Sequence, residues 1–208
     1  SNSIPSICAF SNQLTLILDG MQAVSQVVKV FVGNVPLFAD DAESDANNWT
    51  TAGSTNGTWE KTSAQFYSPS NSFTDSPAGS YLNNATALFT LSGNLNCSNI
   101  SHAVFSFYQR YATESGYDFC HVELSTNGGT SWNTLDQFSG SNLNWHERRY
   151  DISTLVAGKP NVKVRFKLTT DASQIADGWY VDDIRIYGYP NAPFIAVNDN
   201  DVQANQFS

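Results

Sequence analysis

The sequence predicts an all-β chain folded as an antiparallel β-sandwich. Three observations predict it. Apolar residues recur with period two over short segments, and runs with the 3.6-residue period of an amphipathic helix are almost absent. Clusters of Gly, Asn, Ser and Pro divide those segments at short intervals. Between two of them sits Asn127-Gly128-Gly129, and Asn-Gly is the strongest short hairpin signal because both residues accept positive φ.

The elements follow in chain order. Residues 1–36 hold two alternating segments, 13–18 and 27–32, joined across Gly20; they predict a short N-terminal β segment, part of a neighbouring unit. Pro36 marks a break. The stretch 47–80 is polar, with Trp49, Trp59, Phe66, Tyr67 and Phe73 as its bulky anchors. Strands are then expected at 87–91, 102–111, 117–125, 132–138, 145–151, 162–168 and 180–187. In all, about eight strands are expected within 37–188, at the spacing of a sandwich. In the last strand, alternation sets Val181, Asp183 and Arg185 on one face and Asp182, Ile184 and Ile186 on the other. Asp182 would then point inward, where a carboxylate needs a partner. Residues 189–208, with Pro190, Pro193 and Asn198-Asp199-Asn200-Asp201, read as a linker or tail.

Composition excludes several functions. The chain has 10 Lys+Arg against 19 Asp+Glu, so its formal charge is 10 − 19 = −9. That balance argues against nucleic acid and anionic membrane surfaces, both of which need cationic side chains to replace counterions. No apolar run reaches the roughly 18 residues of a membrane span. The most apolar stretch, 14–35, is broken by Asp19, Gly20, Gln22, Ser25, Gln26 and Lys29, so no membrane insertion is expected. A hydrophobic share of 41% is enough for a packed core. Ser1-Asn2-Ser3 carries no positive n-region, as in a mature or excised fragment. Cys8, Cys97 and Cys120 lack CxxC spacing and nearby His, which argues against zinc. A Cys97–Cys120 disulfide and separate buried thiols both remain open.

Catalysis would need a convergent acid, base or nucleophile set. His102, His121 and His146 fall on three different predicted strands, and neither HExxH nor Gly-x-Ser-x-Gly occurs. Glu114, Asp118 and Glu123 are carboxylates of the kind glycoside hydrolysis uses, but nothing in their spacing sets the separation it needs. The expectation is a non-catalytic domain.

The acidity is gathered in two places instead. Asp40, Asp41 and Glu43 open the sandwich, and Asp182 and Asp183 close it. Domain termini tend to lie close together. Two carboxylate clusters meeting there repel unless a cation sits between them. Calcium suits such a place because it takes 6–8 oxygen ligands, carboxylate and carbonyl. Asp40 and Asp41 point opposite ways if extended, so one of the two would be a side-chain ligand. Among the aromatics, Trp49, Trp59 and Trp179 read as core caps. Trp145, Tyr108, Tyr111 and Tyr117 are the candidates for an exposed sugar-stacking face, with core or edge filling as their competing use.

One string of residues resembles a known family. It runs through Phe38-Ala39-Asp40-Asp41-Ala42-Glu43, Asn48-Trp49, Trp59, Tyr81-Leu82-Asn83-Asn84, Phe105-Ser106-Phe107, the block from Val122 to Trp132, Trp145, Val164-Arg165-Phe166, and Asp177-Gly178-Trp179-Tyr180-Val181-Asp182-Asp183-Ile184. This string is similar to the MAM-like jelly-roll modules of secreted bacterial proteins. They occur beside immune-inhibitor-A type metallopeptidases, subtilases and the cleaved-adhesin modules of gingipain-type proteases. The resemblance implies a jelly roll of the galactose-binding/MAM-like kind over 37–188, non-catalytic, with structural calcium between its opening and closing acids. Carried over by position, Glu43 and Asp182 are the first ligands, with Asp41 and Asp75 next. It also implies a secreted or cell-surface location, and as partners the neighbouring domains of the same polypeptide and a protein or glycan surface. The first function expected is an accessory module of a secreted multidomain peptidase. The alternatives are a carbohydrate-binding module of a glycanase and an adhesin domain binding a host protein. Residues 1–36 resemble the opening strands of the P-domain that follows subtilase catalytic domains, without its acidic calcium loops. Ser125 to Trp132 resembles the Asp-box hairpin, with Asn127 and Ser131 in place of its Asp and Thr, and there it is a folding turn.

Overall fold

Period-two alternation produces the strands it predicts and two sheets that bury one face each. The computed structural model describes residues 8–18, 21–32, 35–44, 47–54 and 56–190, with side chains from residue 35 onward. Residues 1–7, Asp45, the side chain of Cys8 and the expected tail at 191–208 lie outside the described residues. Strands β1 (Cys8–Leu18) and β2 (Met21–Val32) pair antiparallel, from Cys8 opposite Val32 to Leu18 opposite Met21. This hairpin and residues 35–190 are separate compact units.

The second unit holds β3 (Val35–Asp40), β4 (Trp49–Gly53), β5 (Glu60–Thr62), β6 (Ser72–Thr74), β7 (Thr86–Leu91), β8 (Ile100–Ala112), β9 (Phe119–Ser125), β10 (Asn133–Phe138), β11 (Ser141–Asp151), β12 (Lys163–Thr169) and β13 (Gly178–Pro190). One helical turn, α1 (Ser153–Val156), precedes β12. Five strands form one sheet in the order β10-β9-β12-β7-β4. The other sheet runs β11-β8-β13-β6-β5, and β3 also pairs with β13. Non-sequential neighbours within two antiparallel sheets are the mark of a sandwich of the jelly-roll type.

The core lies between the sheets. Phe89, Val122, Leu124, Val164, Phe166 and Leu168 face inward from one, and Phe105, Phe107, Trp179, Val181, Ile184 and Ile186 from the other. Phe166 links them, its ring centroid 4.9 Å from Phe107 and 5.3 Å from Trp179, both edge-on. Trp49 stacks on Phe89 at 4.4 Å. Edge-on and offset ring pairs add attraction beyond the area they bury.

The structure departs from the sequence expectations in two places, and it decides between the two readings left open for the cysteines. The polar stretch 47–80 contains β4, β5 and β6. β4 and β5 are edge strands whose residues are mostly exposed, so no alternation of apolar residues announces them. The alternation expected along β13 breaks at a bulge: Asp182 lies opposite Tyr108 and Arg185 opposite Ser106, three steps on one strand against two on the other. Asp183, at the bulge, has φ 48°. Val181 and Ile184 therefore both reach the core. Asp182 does not point inward beside Ile184 and Ile186. It lies on the opposite face from Val181, buried because a loop covers it. Cys97 and Cys120 are free, buried thiols and form no disulfide.

Candidate functional site

Pairing of the first strand of the unit with the last brings its acids together. β3 runs antiparallel to β13, with Asp40 opposite Ile184, so residues 40–43 arrive beside the bulge at 182–183. The loop between β5 and β6 joins them as a third segment. Asp182 Oδ2 accepts the backbone N–H groups of Tyr67 (2.8 Å) and Ser68 (3.0 Å), and Oδ1 accepts that of Asp183 (2.6 Å). Glu43 Oε1 accepts from the backbone of Ser70 (2.6 Å) and Asn71 (2.8 Å), and Oε2 from their side chains (3.2 Å each). Two carboxylates thus hold one loop through four of its backbone donors.

The remaining predicted acids are placed differently. Asp40 is buried and fully engaged: it accepts from Ala42 N, Asn48 Nδ2 and Trp49 Nε1, which ties the opening segment to the core. Asp41 accepts Glu43 N at 3.2 Å. Asp183 pairs with Arg185 at 3.0 Å. Asp75 lies under the start of β13, where Oδ1 accepts Trp179 N (2.6 Å) and the buried Oδ2 has no partner.

Burial pushes the Asp182 carboxyl up to about 6, against the N–H groups of Ser68, Tyr67 and Asp183. Burial also raises Asp183; Arg185 opposes this and Asp41 adds to it, so Asp41 is close enough to be felt. For Glu43 slight burial raises the carboxyl, but the donors of Asn71 and Ser70 together hold it below its usual range. Burial takes Asp75 up to about 7, against the Trp179 N–H. Among the described residues, the carboxylate oxygens that gather within 4.8 Å of one another belong to Glu114, Asp118 and Asp171, a different set from the one expected.

A second feature lies on the outer face of the six-stranded sheet. Tyr108 is opposite Glu147 and Asp182, so all three share that face, and Trp145 joins them two residues along β11. The Tyr67 ring, carried by the covering loop, stacks on Tyr108 at 3.5 Å and 9°. Trp145 stands 6.3 Å from Tyr67. Phe66 and Tyr67 are 43% and 44% exposed. Beside them Arg110 lies over the Tyr180 ring at 5.5 Å and bonds Gln65. The result is an aromatic shelf with a guanidinium edge.

Of the four aromatic candidates, Trp145 and Tyr108 meet on this shelf. Tyr111 faces the other way, against Phe138 and His146, and packs on the core. Its position between Arg110 and Ala112, one residue out of phase with Tyr108 and Arg110, requires this. Tyr117 lies away from the shelf on the β8–β9 loop, 62% exposed. Tyr67, and Phe66 beside it in sequence, lie outside the four aromatic candidates. Their signal is two adjacent bulky aromatics in a Ser-rich loop, where both cannot reach the core.

The 125–132 segment is a closed turn. Ser125 Oγ accepts Gly129 N (2.8 Å), Asn127 Oδ1 accepts Ser131 N (2.9 Å), and Trp132 Nε1 donates to Gly129 O (3.1 Å). Arg165 covers the Trp132 ring at 4.1 Å and pairs with Glu123. These groups satisfy one another and leave the turn a structural part.

No family model matches the chain. The K1 cleaved adhesin domain of Lys-gingipain from Porphyromonas gingivalis W83 is similar in structure, with a TM-score of 0.52 at 13% identity over 74% of this chain and 98% of that one. So is the CBM22-1 xylan-binding domain of Xyn10C from Paenibacillus barcinonensis, with a TM-score of 0.51 at 12% identity over 76% of this chain and 97% of that one. At such identities the likeness is one of fold, and it is the sandwich that the sequence predicts. In sequence, the chain is 24% identical over 156 residues to Bacillopeptidase F of Bacillus subtilis (strain 168), covering 71% of this chain. The match spans 10% of the length of that relative.

Proposed function

We propose that this chain is a non-catalytic accessory module of a secreted multidomain peptidase, attaching its parent to glycan surfaces through the Tyr67–Tyr108–Trp145 shelf. The shelf is the observation that carries the reading. Tyr67 covers the Tyr108 ring and is itself 44% exposed, and its outer face can stack on the C–H faces of a sugar much as rings stack on other rings. The fold shared with a cleaved adhesin domain and a xylan-binding domain supports the same reading. The peptidase parent rests on the likeness to Bacillopeptidase F, and export with that parent follows from it. On affinity gels containing soluble polysaccharides, the protein is expected to be retarded by at least one of them, and Trp145→Ala and Tyr67→Ala to be retarded less than the parent. Unretarded wild-type protein across a broad panel would sink the attachment role.

Calcium belongs to the same proposal. Glu43, Asp182, Asp41 and Asp183 are the residues that would hold it. Support comes from the charge they place together: the Asp41 carboxylate raises Asp183, burial raises Asp182, and Arg185 is the cation paired there. Carboxylate oxygens that accept N–H bonds keep lone pairs for a cation. The bound ion would supply two positive charges where repulsion is worst. The chain's own part is to carry the opening segment, the covering loop and the bulge to one place. A ligand that binds the folded form alone stabilises it by mass action. The melting temperature is expected to fall by several degrees on chelation and to recover with calcium but not with magnesium. An unchanged curve on protein verified metal-free would remove the ion from the account.

A further inference from the structure

We infer that the loop end of the sandwich carries a second saccharide site, a pocket for one neutral pyranose, built on Tyr117, Glu114, Gln174 and Ile175. A cavity of about 420 Å³ opens between the β8–β9 and β12–β13 loops, lined by these residues with Thr113, Ser115 and Ala176. That is the lower end of the range for small-ligand sites, which are apolar with a few placed polar groups. The walls here are more polar than that, with Thr113, Glu114, Ser115 and Gln174 beside Tyr117, Ile175 and Ala176, as suits a ligand rich in hydroxyl groups. Tyr117 is 62% exposed and Ile175 54%, although both flank a concave surface. They offer an aromatic face and an aliphatic face to a ring bearing C–H groups.

The charged group of the pocket is Glu114. Its Oε1 accepts from Gln174 Nε2, and its Oε2 accepts from Ser173 Oγ at 3.0 Å. Gln174 fixes one oxygen of the carboxylate, whereas the single Ser173 proton is shared with Asp171, whose Oδ1 lies equally near at 3.0 Å. Each Glu114 oxygen keeps a lone pair that can accept a hydroxyl, so the group presents a pair of acceptors matched to two neighbouring hydroxyls of a sugar ring. Asp118 and Asp171 lie beside Glu114. Their charge selects against uronic and sialic acids and other anionic sugars by repulsion.

The frame under the pocket is rigid. Buried Asp118 accepts Tyr81 Oη (2.6 Å) and Asp171 N (2.8 Å), and Tyr81 Oη accepts Glu114 N (3.0 Å). One carboxylate and one phenol therefore tie together the β6–β7, β8–β9 and β12–β13 connections. Gly116 N donates to Ser139 Oγ (2.7 Å), which donates to Glu114 O. A site held in its bound shape loses little entropy when it is filled.

This site goes beyond the proposed shelf and shares no residue with it, so either can fail alone. The test is titration calorimetry of the full chain with neutral oligosaccharides (xylo-, gluco-, galacto- and manno-) and with glucuronic- and galacturonic-acid oligomers. Binding of at least one neutral series is expected. Tyr117→Ala and Glu114→Gln should each weaken it by about tenfold, equal to about 1.4 kcal/mol. Tyr117→Phe should retain it, and Lys159→Ala, at an exposed position away from both sites, should leave the affinity within about twofold, since distant sites act independently. Tyr117 is exposed, so an unchanged melting temperature in Tyr117→Ala separates lost binding from lost folding. The inference is overturned if no neutral series binds, if uronic oligomers bind as well as neutral ones, or if folded Tyr117→Ala binds like the parent.

Discussion

Asp75 shows what a single buried carboxylate does to the molecule. Its Oδ1 holds the Trp179 N–H at the head of β13, while Oδ2 faces no donor. Gly178 makes the approach possible: a Cβ there would stand 2.9 Å from both Asp75 oxygens and 2.4 Å from Ser76 Oγ. Burial, with Asp177 adding to it, raises this carboxyl from 3.8 to about 7. The folded chain therefore holds the proton more tightly than the unfolded chain. The stability that follows is full below pH 3.8 and is lost as pH rises toward 7. Asn at this position keeps an acceptor for Trp179 and cannot ionise. In metal-free protein, Asp75→Asn is expected to gain on the parent as pH rises from 4 to 8, by a few kcal/mol at the upper end. Chemical denaturation at several pH values checks this; a constant difference would show that Asp75 is ionised throughout.

At the scale of elements, the covering loop is the part the acids organise. Residues 67–71 have no strand partner, and their backbone N–H groups at Tyr67, Ser68, Ser70 and Asn71 end on Asp182 and Glu43. Charged acceptors make the stronger class of hydrogen bond. Glu43→Ala is expected to speed hydrogen exchange at Ser70 and Asn71 by at least about tenfold, the scale of one lost charged bond. Exchange in β8 and β12, held by their ladders, should not change. Equal exchange at Ser70 and Asn71 in parent and variant would mean that something other than Glu43 protects them. The same loop carries Tyr67 to the shelf, so Glu43 reaches the shelf by way of loop order.

The two sheets of residues 35–190 cohere through a shared set of rings. Phe166, from the five-stranded sheet, meets Phe105, Phe107 and Trp179 of the other, as well as Trp49, Trp59 and Phe89. Phe166→Ala leaves a cavity where the sheets meet, and such substitutions cost about 3–5 kcal/mol. The loss is expected in one transition shared by tryptophan fluorescence and near-ultraviolet dichroism. Separate transitions would show that the sheets unfold independently. The wide spacing in sequence of the paired strands, β3 with β13 and β4 with β7, makes the fold depend on contacts that close late.

Local pattern was enough for the long strands β7 to β13: most bury one face, of which alternation is the direct record, and β10 and β11 half-bury one, with Leu135, Phe138 and Tyr150 packed on the core. It was also enough to find the two acidic clusters and two of the shelf aromatics, Trp145 and Tyr108. It could not find β4 and β5, whose residues mostly face water and whose strand state comes from pairing with β7 and β6. Nor could it find the bulge at Asp182 and Asp183, since an extra residue leaves the composition of a strand unchanged and alters its phase only against a neighbour. The sequence by itself determined the fold class, the apolar layer and the gathering of charge, all of which depend on residue type and short spacing. Tertiary structure alone decided that Asp182 faces a loop and not the core, that Glu43 accepts two of that loop's backbone N–H groups, and that Glu114 and Tyr117 border a cavity. Those facts depend on which distant segments meet, and chain proximity carries no information about that.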